Sequence, residues 1–313
     1  MRALLVVNPN ATTTTSRGRD ILVRALRSQV ELDVVYTERR GHAADLAREA
    51  ALDKRDLVVT LGGDGTVNEA INGLMTFDDG PAAGRADERP ALAVVPGGST
   101  NVFARALGLP GDWAEGTGVI LEALREGRRR TIGLGRADDR YFTFCAGVGL
   151  DAEVVRRVER ARTKGARSTP ALYFRSIAAQ YLSELGRRES DVMIERAGEP
   201  AQTGLAWVLV QNTAPWTYIG DKVVNPNPLA SFDTGLDVLA LKVLHLPSTT
   251  RTVTQILSGR SEPHGKQVIR FHDLAGFSLR TARPLAYQVD GDYVGECDKL
   301  EFASVAGALR VVC

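Results

Sequence analysis

The chain has 313 residues, 39 Lys plus Arg against 38 Asp plus Glu, a formal net charge of +1 and 44% hydrophobic residues. That composition excludes an intrinsically disordered chain, and the near-neutral balance excludes a general nucleic-acid binder, which carries a strongly basic domain. At roughly 100–200 residues per domain the length predicts two domains, and no window approaches the roughly 20 apolar residues that cross a bilayer. Three scattered cysteines, Cys145, Cys297 and Cys313, form no disulfide framework and no metal spacing. The apolar run before Asn8-Pro9 is too short for a signal sequence, so a cytoplasmic location is expected.

In chain order, Ala3–Val7 reads as a strand, Arg19–Ser28 as a helix, Glu31–Tyr36 as a strand and Gly41–Leu52 as a helix. Asp56–Leu61 is a continuous apolar run stopped by Gly62-Gly63-Asp64-Gly65-Thr66, with a helix predicted over Val67–Leu74. Phe77–Arg89 is a polar loop, Ala91–Val95 a buried strand, and Val102–Leu107 and Trp113–Arg125 are helices. Alternating strands and helices with near-continuous apolar strands imply a parallel sheet covered on both faces.

The rhythm changes after Arg128-Arg129-Arg130. Strands are predicted at Thr131–Ala137, Tyr141–Cys145, Asp191–Glu195, Leu205–Gln211, Leu236–Leu244, Val268–Phe271, Gly276–Arg280, Ala286–Asp290, Lys299–Ala303 and Ala308–Val312. Helical spacing interrupts them over Ala152–Leu185 and over Thr249–Leu257. The expected fold class is therefore α/β plus β. Residues 1–130 form an α/β parallel-sheet nucleotide-binding domain and residues 131–313 a mainly antiparallel β-sandwich domain.

The chemistry concentrates in two loops. In the first, a buried strand delivers Gly62, Gly63 and Gly65 to a helix N-terminus, where backbone N–H groups and the helix dipole favour phosphate. Thr66 and Asn68 can hydrogen-bond the anion, and Asp64 beside phosphates calls for a bridging cation, for which Mg²⁺ is the natural choice. A turn built for tightness alone would not need Asp, Thr and Asn at these spacings. The second loop, Pro96-Gly97-Gly98-Ser99-Thr100-Asn101, also joins a strand to a helix. In a parallel sheet both loops lie at the same edge, joined there by Asn8-Pro9 and Thr37. Ser99 is a candidate phosphate or nucleotide contact, and Asn101 doubles as a helix N-cap.

Together with Asn68-Glu69 and Gly41-His42-Ala43, these segments resemble the diacylglycerol kinase catalytic-domain superfamily. It contains bacterial diacylglycerol kinases, related lipid kinases, and the sphingosine and ceramide kinases. The resemblance continues through Asn212, Tyr218-Ile219-Gly220, Ala230 to Val238 and Gln288-Val289-Asp290-Gly291-Asp292. NAD kinases and phosphofructokinases share the glycine-aspartate loop, so specificity lies in the ordered set. The resemblance implies ATP-dependent phosphorylation of a lipid hydroxyl, with diacylglycerol the leading acceptor, in a cleft between the two domains. It implies nucleotide contacts at Asn8, Pro9, Thr37, Gly62 to Asn68 and Ser99. The family's general base is the last Glu of a Gln-x-Asp-Gly-Glu element; here that position is Asp292, one methylene shorter, with Asp290 beside it as an orienting or metal-linked carboxylate. Glu296 is a rival base, and so is Asp64, which the sequence leaves open. An Asp-Gly pair is also a hairpin signature. Many relatives hold a structural Mg²⁺ at an Asp where this chain has Thr234, which shifts that expectation to the preceding Asp233.

Between Val154 and Arg188 nine basic residues face two acidic ones, so +7 lies there and about −6 elsewhere. Residues 154–188 are expected to dock on anionic lipid headgroups, making membrane association peripheral and reversible. Exposed strand edges in the second domain favour a homodimer. Other acceptors are another lipid alcohol, such as sphingosine, ceramide or polyprenol, or a soluble one as in NAD kinase. A non-catalytic nucleotide-binding module is the reading from a different class.

Overall fold

A computed structural model describes residues 1–76, 86–163, 192–242, 244, 246–259 and 262–313. The chain forms two compact units, Met1–Leu134 together with Ala306–Cys313, and Gly135–Val305. The last eight residues thus count with the first unit, whereas the sequence assigned the whole of 131–313 to the second domain.

The first unit is built on parallel strands β1 (Arg2–Val7), β2 (Glu31–Tyr36), β3 (Leu57–Gly62) and β4 (Ala91–Pro96), in the order β2-β1-β3-β4. Their unbroken apolar runs are explained by burial on both faces. On one face Leu5, Val7, Val59 and Val95 pack with Leu22 and Leu26 of α1 (Ser16–Arg27) and Ile120 and Ala123 of α5 (Trp113–Glu126). Leu4, Val6 and Val58, one residue out of step, are buried on the other face, where α2 (His42–Leu52) contacts β1 and α3 (Asp64–Met75) contacts β3. Local capping sets the outer helices. Thr15 accepts the Gly18 N–H at 3.1 Å, and Asp112 accepts those of Ala114 and Glu115 at 2.8 and 3.1 Å.

A fifth strand joins this sheet from far along the chain. Strand β16 (Asp292–Val311) ends with Val311 paired in parallel to Leu92 of β4. The Arg310 guanidinium donates to the carbonyls of Ala86, Asp87 and Arg89, and Arg89 donates to Ala308. The C-terminus is therefore stitched into the first unit.

In the second unit β7 (Cys145–Gly149), β10 (Trp207–Gln211), β13 (Leu236–Leu241), β14 (Val268–Leu274), β15 (Gly276–Val289) and β16 are antiparallel, in the order β14-β13-β10-β7-β15-β16. The sequence treats the β15–β16 hairpin as shorter separate strands, but it pairs over two stretches with a register shift between Arg280 and Leu285. The first stretch carries β8 (Val192–Glu195) and the second carries β7. One core holds Val148, Val208, Val210 and Val238 together with Ile194, Leu279 and Phe302, and Phe277 stacks on Phe302 with ring centroids 4.9 Å apart. The second unit's described strands thus belong mainly to one mixed sheet, with β11 (Thr217–Ile219) and β12 (Lys222–Val224) paired separately.

The mixed architecture, a parallel α/β part and antiparallel C-terminal strands, is the one the sequence predicts. Helix α6 (Leu150–Thr163) is the described part of the helical region expected over Ala152–Leu185. The remainder, with Lys164 to Arg188 of the basic stretch, lies outside the described residues. No helix among the described residues is long and apolar enough to cross a membrane.

Candidate active site

In the first unit the strand order runs outward from β1 on one side and from β3 on the other. The carboxyl ends of β1 and β3 therefore flank the topological switch point where open α/β sheets bind ligands. Asn8 follows β1, Thr37 follows β2, Gly62 ends β3 with Gly63 just beyond it, and Pro96 closes β4.

Helix α3 gathers these loops. Its helical conformation begins at Asp64, three residues before the predicted start, so Asp64, Gly65 and Thr66 form its first turn. First-turn N–H groups lack intrahelical partners, and the cap residue Gly63 offers no side-chain acceptor. Asn8 Nδ2 donates to Thr66 Oγ1 at 3.0 Å, and the Asn8 N–H reaches the Leu61 carbonyl at 2.9 Å. The Gly97 N–H donates to the Gly62 carbonyl at 2.8 Å. A Cβ on Gly98 would stand 2.7 Å from the Gly63 Cα, so the two glycine loops touch backbone to backbone. That contact is why both loops carry glycine pairs.

Asp64 takes a place the sequence did not suggest. Its Oδ2 accepts the Val102 N–H and its Oδ1 the Phe103 N–H, both at 3.0 Å, capping the short helix α4 (Val102–Ala106). Asn101 occupies the local cap position in a left-handed conformation, φ 51°, without capping the helix. Its side chain turns back instead, accepting the Gly98 N–H at 2.8 Å and donating to the carbonyls of Gly98 and Gly111. Asn68 is only 1% exposed and accepts from Asn72 one turn on, so it supports α3 from within. Ser99 and Pro9 are exposed, while Gly63, Gly65, Asn8 and Thr37 are half-buried. The Thr37 N–H donates to the Val7 carbonyl at 2.8 Å.

In the second unit Gln288-Val289-Asp290-Gly291-Asp292 forms the tight turn between β15 and β16. Positive φ at Asp290 (49°) and Gly291 (81°) marks a type I′ hairpin with Val289 paired to Asp292. Asp290 is 5% exposed, and its carboxylate accepts four hydrogen bonds: Thr143 N–H and hydroxyl at 2.8 Å, and the N–H groups of Phe144 and Cys145 at 3.0 and 3.1 Å. It anchors the turn to the segment between β6 (Arg140–Phe142) and β7. Asn212 joins the same network by donating to the Thr143 carbonyl at 2.9 Å. Asp292, just beyond the turn, is half-buried at the head of β16. Glu296 accepts from Arg156 at 2.7 Å, and the same guanidinium lies 5.5 Å from the Tyr293 ring centroid. Burial pushes the Cys297 thiol up to about 12 and raises the Tyr287 phenol, so neither is a nucleophile or base at neutral pH.

Among the described residues, neither Asp64 nor Asp233 sits in a group of side chains that would cage Mg²⁺. Both Asp64 oxygens are turned to backbone N–H groups. Asp233 is exposed, and the Ser231 carbonyl beside it accepts both the N–H and the hydroxyl of Thr234 at 3.1 Å. That hydroxyl closes the turn in the position where relatives are expected to carry a metal-binding carboxylate. Among the described residues no group of three His, Cys, Asp or Glu side chains is placed to hold a metal ion.

Glu69, next to Asn68 in the glycine-loop motif, acts at a distance from that loop. Its carboxylate accepts from Gly41 and Ala43 at the start of α2, 28 and 26 residues away. No local spacing signals such a contact.

Residues 2–137 match the family model for the diacylglycerol kinase catalytic domain. Over 303 residues the chain is 30% identical to a diacylglycerol kinase of Bacillus subtilis, covering 94% of this chain and 90% of that protein. A diacylglycerol kinase of Staphylococcus saprophyticus is 25% identical over 298 residues, with the same two coverages. The fold is similar to the crystal structure of a diacylglycerol kinase from Bacillus anthracis, with TM-score 0.68, 20% identity, and 99% and 96% of the two chains covered. The chain belongs to the diacylglycerol kinase family and is an ATP-dependent kinase.

Proposed function

We propose that the protein transfers the γ-phosphoryl group of ATP to the hydroxyl of diacylglycerol, giving phosphatidic acid at a membrane surface. The 30% identity to the Bacillus subtilis diacylglycerol kinase over nearly the full length of both proteins carries this reading. Phosphoryl transfer depends mainly on positioning and charge stabilisation. The first-turn N–H groups of α3 receive phosphate oxygens. Asn8, Thr37 and Ser99 line the nucleotide face, with Thr66 and Asn68 as its support. Magnesium comes as part of the substrate, on the ATP phosphates.

Asp292 takes the proton of the acceptor hydroxyl as its oxygen attacks the γ-phosphorus and ADP departs. Two observations favour it over its rivals. Glu296 is engaged by Arg156, and Asp64 is committed to the α4 backbone. Asp290 then acts as the anchor that presents Asp292. A cytoplasmic protein meeting the bilayer peripherally, through the basic stretch 154–188, completes the reading.

The test incubates labelled ATP and magnesium with diacylglycerol, sphingosine, ceramide and polyprenol in mixed micelles, beside NAD in solution. Label is expected in phosphatidic acid, with Asp292→Asn at least about 100-fold slower, the lower range for losing a general base. Label in a different product reassigns the acceptor. ATP binding with no labelled product would identify a non-catalytic module.

A further inference from the structure

Glu69 stands apart from the expected nucleotide contacts, yet its carboxylate caps α2, the helix that follows the Thr37 loop. The local sequence Arg39-Arg40-Gly41-His42 has no Ser, Thr, Asp or Asn to cap that helix, and Gly41 at the cap has a left-handed φ of 83° and no side chain. Glu69 Oε1 accepts the Gly41 N–H at 2.9 Å, and Oε2 the Ala43 N–H at 3.3 Å. A carboxylate there also meets the positive end of the α2 dipole.

The loop is fixed at further points. The Thr37 N–H is held by the Val7 carbonyl at 2.8 Å, and His42 Nδ1 accepts the Glu38 N–H at 3.1 Å. One turn further along α3, a Cβ on Gly73 would run into the carbonyl oxygen of Ala44. Helices α2 and α3 therefore meet backbone to backbone, and Glu69 ties off the end of α2 that bears the loop.

We propose that Glu69 is a positioning residue for ATP: by capping α2 from α3 it sets the Thr37 loop relative to the phosphate-binding turn that opens α3. The inference rests on the reading that Thr37 faces the nucleotide. A purely structural cap would lower stability and leave nucleotide affinity alone.

The experiment is a double-mutant cycle read by calorimetric titration with ATP, which needs no lipid. Glu69→Gln keeps the shape and one acceptor oxygen, and is expected to weaken ATP binding about fivefold, as is Thr37→Ala, with the double variant little worse than either because coupled residues are non-additive. Gly41→Ala, which strains the left-handed cap while leaving Glu69 in place, is expected to weaken ATP in the same way and serves if Glu69→Gln does not fold. The proposal is overturned if the two effects multiply to about 25-fold, the additive limit, or if Glu69→Gln melts earlier with unchanged ATP affinity. Unchanged affinity in Thr37→Ala alone would instead remove the nucleotide reading of the loop, and this inference with it.

Discussion

The Asp290 carboxylate reaches back 147 residues to Thr143 and accepts both its backbone N–H and its hydroxyl at 2.8 Å. The same residue turns the chain in the left-handed region, φ 49°, immediately before Asp292. Asn tolerates that conformation, so Asp290→Asn leaves the turn intact while setting an amide NH₂ against backbone N–H donors. Stability is expected to fall by about 3 kcal/mol, since buried donors lose a charged acceptor. Urea unfolding with an unchanged slope checks it. The turnover of this variant should fall as well, because the turn places the proposed base.

Gly98→Ala adds a Cβ that would stand 2.7 Å from the Gly63 Cα, against backbone that has no flexible end to yield. Separating the two glycine loops is expected to cost about 1–3 kcal/mol, the usual range for overpacking. ATP affinity should drop more than affinity for the lipid acceptor. Titration of each substrate separately distinguishes this from general unfolding.

For Asp64, the bonds to Val102 and Phe103 predict the behaviour of a capping residue. Asp64→Ala should lower stability by about 1 kcal/mol, the typical value of a lost cap. Its ATP affinity should weaken through displacement of the Ser99 loop. Full stability with abolished turnover would return Asp64 to the role of base.

Cys297 offers a pH test. Burial raises its folded-state pKa from 9.0 to about 12, so the unfolded chain releases the proton first as pH rises. The unfolded state binds fewer protons in that window, and the thiol therefore removes stability from about pH 9 up to about 12 and has no effect below it. At pH 8 native Cys297 should resist iodoacetamide and react on denaturation, because the thiolate is the nucleophile. Peptide mapping after a timed pulse reads both states.

Much of the first unit could be read from its residues. Runs such as Leu57-Val58-Val59 are apolar because both faces are covered, and the glycine loops follow at each strand end. Partner identity was not legible. Asp64 and Asp290 stand in the sequence as carboxylates beside glycine, the same signal a metal ligand or a base would give. Their partners are backbone N–H groups 38 and about 146 residues away, which no local pattern encodes. The length of β16 was hidden for another reason. Between Ala303 and Gly307 the residues lose their burial, and Gly307 takes a positive φ of 59°, so the apolar signal lapses inside a single strand.

The stitching of Arg310 to Ala86, Asp87 and Arg89 sets a timetable for biosynthesis. The ribosome makes residues 1–134 before the second unit, but the strand that joins their sheet at β4 emerges only after it. At roughly 5–20 residues per second the edge of β4 waits on the order of 10–30 s, the time needed to synthesise the intervening second unit. During that interval β4 is an unpaired strand edge, a site for chaperone capture or mispairing. Expression of residues 1–134 alone would make that exposure permanent, and truncation of the last eight residues should damage the nucleotide-side unit before it touches the other.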